Sequence, residues 1–190
     1  MIQFIERFIL IDFLFVSDII KCIKKEDKSE FTRNRNFEVE GGIMEADCVI
    51  RVIKQGEIER ALCLVWKVFQ EYESPDYTKE GIEEFYRSIH DEKYLSKLCW
   101  YGAFIQDELV GIIATRSEGT HIALFFVDGK YHRQGIGKRL FQTVQKKCYS
   151  DKMTVNSSPY AVQVYHKLGF TDTNAEQTVN GLRFTPMEYK

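Results

Sequence analysis

Apolar positions along the chain recur with two different periods, and the switches between them mark out the elements. "CVIRVIK" at 48–54 is β-branched and predicts a strand, and "EIERALCLVWKVFQEY" sets Ile58, Leu62, Val65, Phe69 and Tyr72 at helical spacing. Pro75 marks a turn, after which Ile82, Phe85 and Ile89 line one face of a second helical run. The apolar segments "LCWYGAFIQ" and "ELVGIIATR" meet at Asp107 as a hairpin, and "THIALFFV" adds a third consecutive strand, so an antiparallel meander is expected. Ile122 to Val127 are six apolar residues in a row, which predicts a central strand covered on both faces.

Beyond that strand, Ile136, Leu140 and Val144, supported by Phe141 and Cys148, form the inward stripe of a helix whose remaining positions include Lys138, Arg139, Lys146 and Lys147. "KMTVNSS" predicts another strand. In "SPYAVQVYHKLGF", Ser158 is a suitable cap, Pro159 fits the first helical position and Gly169 the left-handed position past the last turn. "GLRFTPMEYK" alternates as a closing strand. The order of elements predicts a mixed α/β sheet with crossover helices.

The N-terminal run "FILIDFLFVSDII" changes this picture little. It is shorter than the roughly 20 apolar residues of a spanning helix and carries Asp12 at its middle, so no membrane span is expected. It also lacks the basic start and small-residue cleavage site of a secretory signal. A polar stretch, "KKEDKSEFTRNRNFEVEGG", follows. Residues 1–43 therefore read as a tail outside a domain at 48–190. Two accounts of the tail stay open. Glu40-Gly41-Gly42 can be encoded by a purine run resembling a bacterial ribosome-binding site just ahead of Met44, which would make 1–43 translated leader. Alternatively, Phe4, Ile5, Phe8, Ile9, Phe13 and Phe15 pack on the domain or close a homodimer.

Composition removes several function classes. With 190 residues and 44% hydrophobic positions, one globular domain with a sizeable core is expected. A net charge of -2 gives no general attraction for phosphate backbones, so no nucleic-acid partner is expected and a cationic substrate is mildly favoured. The five cysteines are odd in number and never spaced C-x-x-C, which predicts core thiols of a reducing, cytoplasmic compartment. Neither they nor the four histidines have ligand spacing, and no metal is expected.

"LFFVDGKYHRQGIGKRL" at 124–140 carries the chemistry. The first turn of a helix leaves backbone N–H groups unpaired and bears about half a positive charge, and glycine lets a ligand approach that backbone, so Gly135 and Gly137 are expected to admit a phosphate. The dinucleotide pattern G-x-G-x-x-G fails at Leu140, and no G-x-x-x-x-G-K-[ST] occurs.

The segment resembles the signature of the GNAT superfamily of N-acetyltransferases, an apolar strand and short turn leading into [Q/R]-x-x-G-x-[G/A] at a helix start, with His132 where Gln or Arg is usual. "TVNSSPYAVQVYHKLGF" is similar to the family's second signature, an Asn at a strand end followed by a helix that carries A-x-x-x-Y and ends in Leu-Gly-Phe; the likeness covers residues 48–190. The resemblance implies a mixed, mostly antiparallel sheet with a splayed parallel strand pair and flanking helices. It implies acetyl-CoA as cosubstrate: backbone groups of Phe126 and Val127 pairing with the pantetheine arm, amides of Arg133, Gln134, Gly135, Ile136, Gly137 and Lys138 cradling the pyrophosphate, and Asn156 bonding the pantetheine region. Tyr165 would face the sulfur as acid, since a phenol of pKa about 10 can stabilise a thiolate of conjugate pKa about 8.5.

The amine must also lose a proton. In the histone-acetylating branch a glutamate sits six residues before the valine that ends the central strand, and here that position is His121, a base in the right range. Glu71, Glu73 and Asp76 are weaker candidates in the helix-to-helix region. The implied activity is direct acetyl transfer to a primary amine of a small molecule or peptide. The competing class is a catalytically silent acyl-CoA-binding module, which would keep the glycine loop and dispense with acid and base.

Overall fold

The computed structural model describes residues 48–148 and 150–190. The expectations placed on residues 1–43, leader, packed appendage or dimer contact, lie outside the described residues.

β1 (Val49–Val52) leads into α1 (Ile58–Tyr72), α2 (Lys79–Ser88) and the one-turn α3 (Glu92–Leu95). Then come β2 (Cys99–Ile105), β3 (Glu108–Arg116) and β4 (His121–Val127), which are the expected meander, and β1 pairs antiparallel with β2 at its edge. α4 (Ile136–Gln145) crosses over to β5 (Met153–Ser157). α5 (Val162–Leu168), β6 (Thr171–Asp172), β7 (Gln177–Val179) and β8 (Leu182–Tyr189) complete the chain. The sheet runs β1-β2-β3-β4-β5-β8-β6, with β7 on β8. Among the described strands, the β4–β5 pair is parallel and the others are antiparallel, as the resemblance implied.

α4 buries the expected face: Ile136, Leu140, Phe141 and Val144 join Ala103, Val110, Ile113, Met153 and Met187 in one core cluster. α1 is rotated from its expected face. Val65 and Phe69 are buried with Ala61, Leu64, Trp66 and Val68, while Ile58, Leu62 and Tyr72 are only half-buried. So apolar a helix offers several stripes, and the one buried is that of Ala61, Leu64, Val65, Val68 and Phe69. Cys99 is exposed, against the expectation of core thiols; Cys48 and Cys148 are partly buried free thiols. Among the described residues no helix is long and apolar enough to cross a membrane.

β4 alternates between buried and half-buried positions instead of being covered throughout. Ala114 faces Leu124 and Thr115 faces Ile122, so Ala123 is an extra residue, a β-bulge. The parallel pairing ends at the same place, with His121 opposite Thr154 and Ile122 opposite Val155. From Ala123 onward β4 and β5 part, leaving a cleft inside the sheet.

The β7–β8 hairpin turns at Asn180 and Gly181, both at positive φ, 49° and 76°. The Asn-Gly pair is the strongest short hairpin signal, and it brings the turn onto the start of α2, where the Thr78 hydroxyl accepts from the Gly81 amide at 3.2 Å. A Cβ on Gly81 would run into the Gly181 carbonyl, backbone against backbone with nothing flexible to yield. Gly81→Ala should therefore cost about 1–3 kcal/mol, as overpacking does, read as a lower urea midpoint with an unchanged slope.

Candidate active site

In an antiparallel ladder, consecutive residues turn their backbone groups alternately toward and away from the partner strand. The Asp128 amide donates to the Val110 carbonyl at 2.9 Å, which fixes the phase of the β3–β4 ladder. Two residues earlier, Phe126 must likewise direct its amide and carbonyl at its partner Ile112. Phe125 and Val127 therefore present their backbone groups to the open side of β4, and Phe126, expected to share that task, is committed to the sheet. The Val127 carbonyl already accepts from the His132 Nε2–H at 2.8 Å, so His132 braces the strand end.

Across the cleft the same reasoning applies to β5. The Thr154 amide donates to the Thr120 carbonyl at 2.8 Å, so Asn156, two residues on, also turns its backbone toward β4. Its partner on β8 is Pro186, which has no amide to offer and gives its carbonyl to the Thr173 amide at 2.9 Å. The Asn156 side chain is exposed and lines the cavity.

The open edge of β4 leads into the turn before α4. Asp128 accepts from the Lys130 amide at 2.9 Å and pairs with the Lys67 ammonium at 3.0 Å, pinning the turn to α1. Arg133 and Gly135 then take left-handed conformations, φ 62° and 78°. The first intramolecular bond of the helix is from the Arg139 amide to the Gly135 carbonyl. The amides of Arg133, Gln134, Gly135, Ile136, Gly137 and Lys138 make no hydrogen bond among the described residues. Apart from the adjoining residues, no atom of the described residues lies within 4 Å of where a Cβ on Gly135 would sit. These six donors at a helix N-terminus form an anion cradle. Gly137 is less demanding, since its Cβ would meet Phe125 at an ordinary 3.4 Å.

At the splay lies a cavity of about 420 Å³, lined by β4, by the α1–α2 connection, by α2 and by the β7–β8 hairpin. Tyr165, on α5, reaches it and is 5% exposed; its ring meets Phe125 and Phe170 edge-on, 6.0 and 5.2 Å between centroids. Its hydroxyl makes no hydrogen bond among the described residues. Burial, and then the nearby Glu73 carboxylate, push its pKa above that of an ordinary phenol.

Glu73 caps the C-terminus of α1, where its amide donates to the Phe69 carbonyl at 2.9 Å. Burial raises its carboxyl pKa to about 7, against a weaker pull downward from Ser158 and a further push up from Asp76. Ser158 was expected to cap a helix, and its side chain makes no capping bond. Its buried hydroxyl stands close enough to Glu73 and Tyr77 to favour their ionised forms, yet forms no bond of good geometry.

His121 is at the other end of β4. Its Nδ1 lies 2.8 Å from the Thr154 hydroxyl, which itself donates to the Thr120 carbonyl at 3.2 Å, so Nδ1 carries the proton and Nε2 is the free base. Burial, and then the Arg116 charge, lower its pKa to about 4. His121, Tyr165 and Asn156 thus line one cavity together with Glu73, one of the three weaker candidates, and the structure adds Ser158.

A family model for the acetyltransferase (GNAT) domain matches residues 73–190. No curated protein matches the sequence. Among solved structures the fold is similar to a GCN5-related N-acetyltransferase from Rhodopseudomonas palustris, with TM-score 0.66, 20% identity, and coverage of 78% of this chain and 99% of that one. It is also similar to PaiA N-acetyltransferase from Thermoplasma acidophilum in complex with coenzyme A, with TM-score 0.62, 18% identity and coverage of 76% and 99%. YjaB from Escherichia coli, in its apo form, matches with TM-score 0.60, 19% identity and coverage of 75% and 97%.

Proposed function

Because the chain belongs to the GNAT acetyltransferase family, we propose that it transfers an acetyl group from acetyl-CoA directly to a primary amine of a small molecule or peptide. The observation that carries this reading is the continuity of the cleft. The open edge of β4 runs from a cradle of amides unpaired among the described residues to a cavity holding a half-buried carboxyl and a buried phenol. The cradle and the open edges fit a pyrophosphate and an extended amide-bearing arm.

In the proposed roles, the amides from Arg133 to Lys138 hold the pyrophosphate, and the outward backbone groups of Phe125, Val127 and Asn156 hold the pantetheine. Acetyl-CoA supplies a thioester whose C–S bond breaks as the C–N bond to the amine forms. Glu73 takes the first proton. An alkylammonium of pKa about 10 is almost fully charged at neutral pH, and a carboxyl at about 7 is partly ionised there and close to the ideal for a base. His121, at about 4, is neutral at that pH and a weaker base. Of the two protons the ammonium nitrogen gives up, one leaves through Glu73 to water and the other ends on the sulfur. Tyr165 stays protonated throughout the working range and donates its hydrogen bond to the departing thiolate.

Thiol release from acetyl-CoA across a panel of primary amines tests the reading. Tyr165→Phe should lower turnover by about 10² if the hydroxyl assists proton transfer, with the acetyl-CoA-induced rise in melting temperature retained. Unaltered turnover, measured where chemistry limits the rate, would return Tyr165 to the core. A thermal shift with no thiol release from any amine identifies a silent acyl-CoA-binding module instead.

A further inference from the structure

The cavity lining holds charged side chains that the transfer chemistry does not use. Glu84 is tied to Arg87 at 2.7 Å. Arg183 is held by both carboxylate oxygens of Glu176, at 2.8 and 3.2 Å. Arg116, the last residue of β3, is different: it lines the cavity and its side chain makes no ion pair or hydrogen bond among the described residues. Its place is set by the sheet, where it stands opposite His121 in the β3–β4 ladder, and Tyr94 of α3 lies within reach of its charge.

Glu73, just past the end of α1, and Arg116, at the end of β3, face different groups of the cavity lining. Glu73 acts on Tyr165 and Tyr77, whereas Arg116 acts on His121 and Tyr94. His121 adds no positive charge beside Arg116 at neutral pH, because burial and the Arg116 charge hold its pKa down to about 4. Phe85, Phe126 and Phe184 supply apolar wall. A volume of about 420 Å³ suits a small molecule. What fits is a compact molecule with an amine for the carboxyl, an anion for the guanidinium and an apolar body.

We propose that the acceptor is a small amine that also carries an anionic group, of amino-acid size, and that Arg116 is the residue that binds the anion. This rests on the acetyl-transfer reading and narrows its acceptor. Charge-assisted hydrogen bonds contribute about 1.5–3 kcal/mol each, which corresponds to roughly 10- to 100-fold in affinity. The planar guanidinium presents paired donors that match a carboxylate or a phosphonate. The net charge of the chain, -2, favours the amine; Arg116 supplies the local exception that admits an acid.

The test compares kcat/KM, by thiol release, for a panel of amino acids, their carboxamides and the matched aminoalkylphosphonic acids. The acids should exceed their amides by roughly 10-fold or more in the wild-type protein. Arg116→Gln should bring the two within about 3-fold, mainly through KM, and Arg116→Lys should restore part of the preference, since an ammonium keeps the charge without the fork. The phosphonates show whether the anchor takes carboxylate or phosphonate oxyanions. Amides equalling acids in the wild type, a preference that survives Arg116→Gln, or a panel in which only neutral amines react overturns the inference alone, provided acetyl-CoA still shifts the melting temperature. Absence of both that shift and thiol release overturns the acetyl-transfer reading and the inference with it.

Discussion

Glu73→Gln should lower kcat/KM for acetyl transfer by about 10²- to 10³-fold, the usual contribution of a general base, and should flatten the acidic limb of the pH profile. Only the ionised carboxylate can take a proton, so wild-type activity should fall as pH drops through about 7, the value to which burial raises this group. If His121 is the base, the limb lies near 4 and follows His121→Ala instead. The midpoint of one curve therefore separates the two residues. Stability should move the other way. Because the carboxyl pKa is raised from 4.5 to about 7, the native state binds more protons than the unfolded chain between those values, and the wild-type protein loses stability as pH rises through that window. Glu73→Gln removes that cost, so above pH 7 the variant should melt at a higher temperature than the wild type while being far less active. A variant that is both slower and less stable there would mark Glu73 as structural.

Gly135→Glu should abolish acetyl-CoA binding and leave a folded protein. The position has φ 78°, so any side chain costs on the order of 1–2 kcal/mol, but beyond its chain neighbours the Cβ meets no atom of the described residues within 4 Å. The new carboxylate would project beside the six amides that are unpaired among the described residues and compete for them as an internal anion. At 100-fold excess over Kd, ligand stabilises the native state by about 2.7 kcal/mol; in the variant the corresponding rise in melting temperature should vanish. Gly135→Ala separates charge from backbone strain: it should lose the same stability and keep most of the shift. Wild-type affinity of Gly135→Glu in calorimetry would remove the glycine turn from the cofactor site.

The local features of the glycine turn were legible because they depend on nearby residues. A left-handed residue before a helix and amides without carbonyls four positions earlier follow from chain geometry, so Gly135 and the donors that follow it can be read from "HRQGIGKRL". The same holds for the inward stripe of α4 and for Gly169, which ends α5 at φ 99°. The Asn180-Gly181 turn carries an equally local signal, and it builds one wall of the cavity. Glu73 stood out only weakly, because a glutamate in a polar connection looks solvated until its surroundings are known.

What the sequence by itself determined is the succession of the longer strands and helices and the anion cradle, both products of short-range periodicity and backbone sterics. The tertiary structure decided three things that periodicity cannot carry. It chose which stripe of α1 faces the sheet, since several apolar stripes satisfy one helix and only the partner surface selects among them. It set the phase of the β3–β4 ladder, and so gave the open edge to Phe125 and Val127 and withdrew Phe126, because alternation is known only once one cross-strand bond is known. It also placed Glu73, Tyr165 and Arg116, far apart in the chain, around one cavity. Burial and neighbouring charge set their chemistry, and both are properties of the assembled sheet, α1–α2 connection and hairpin.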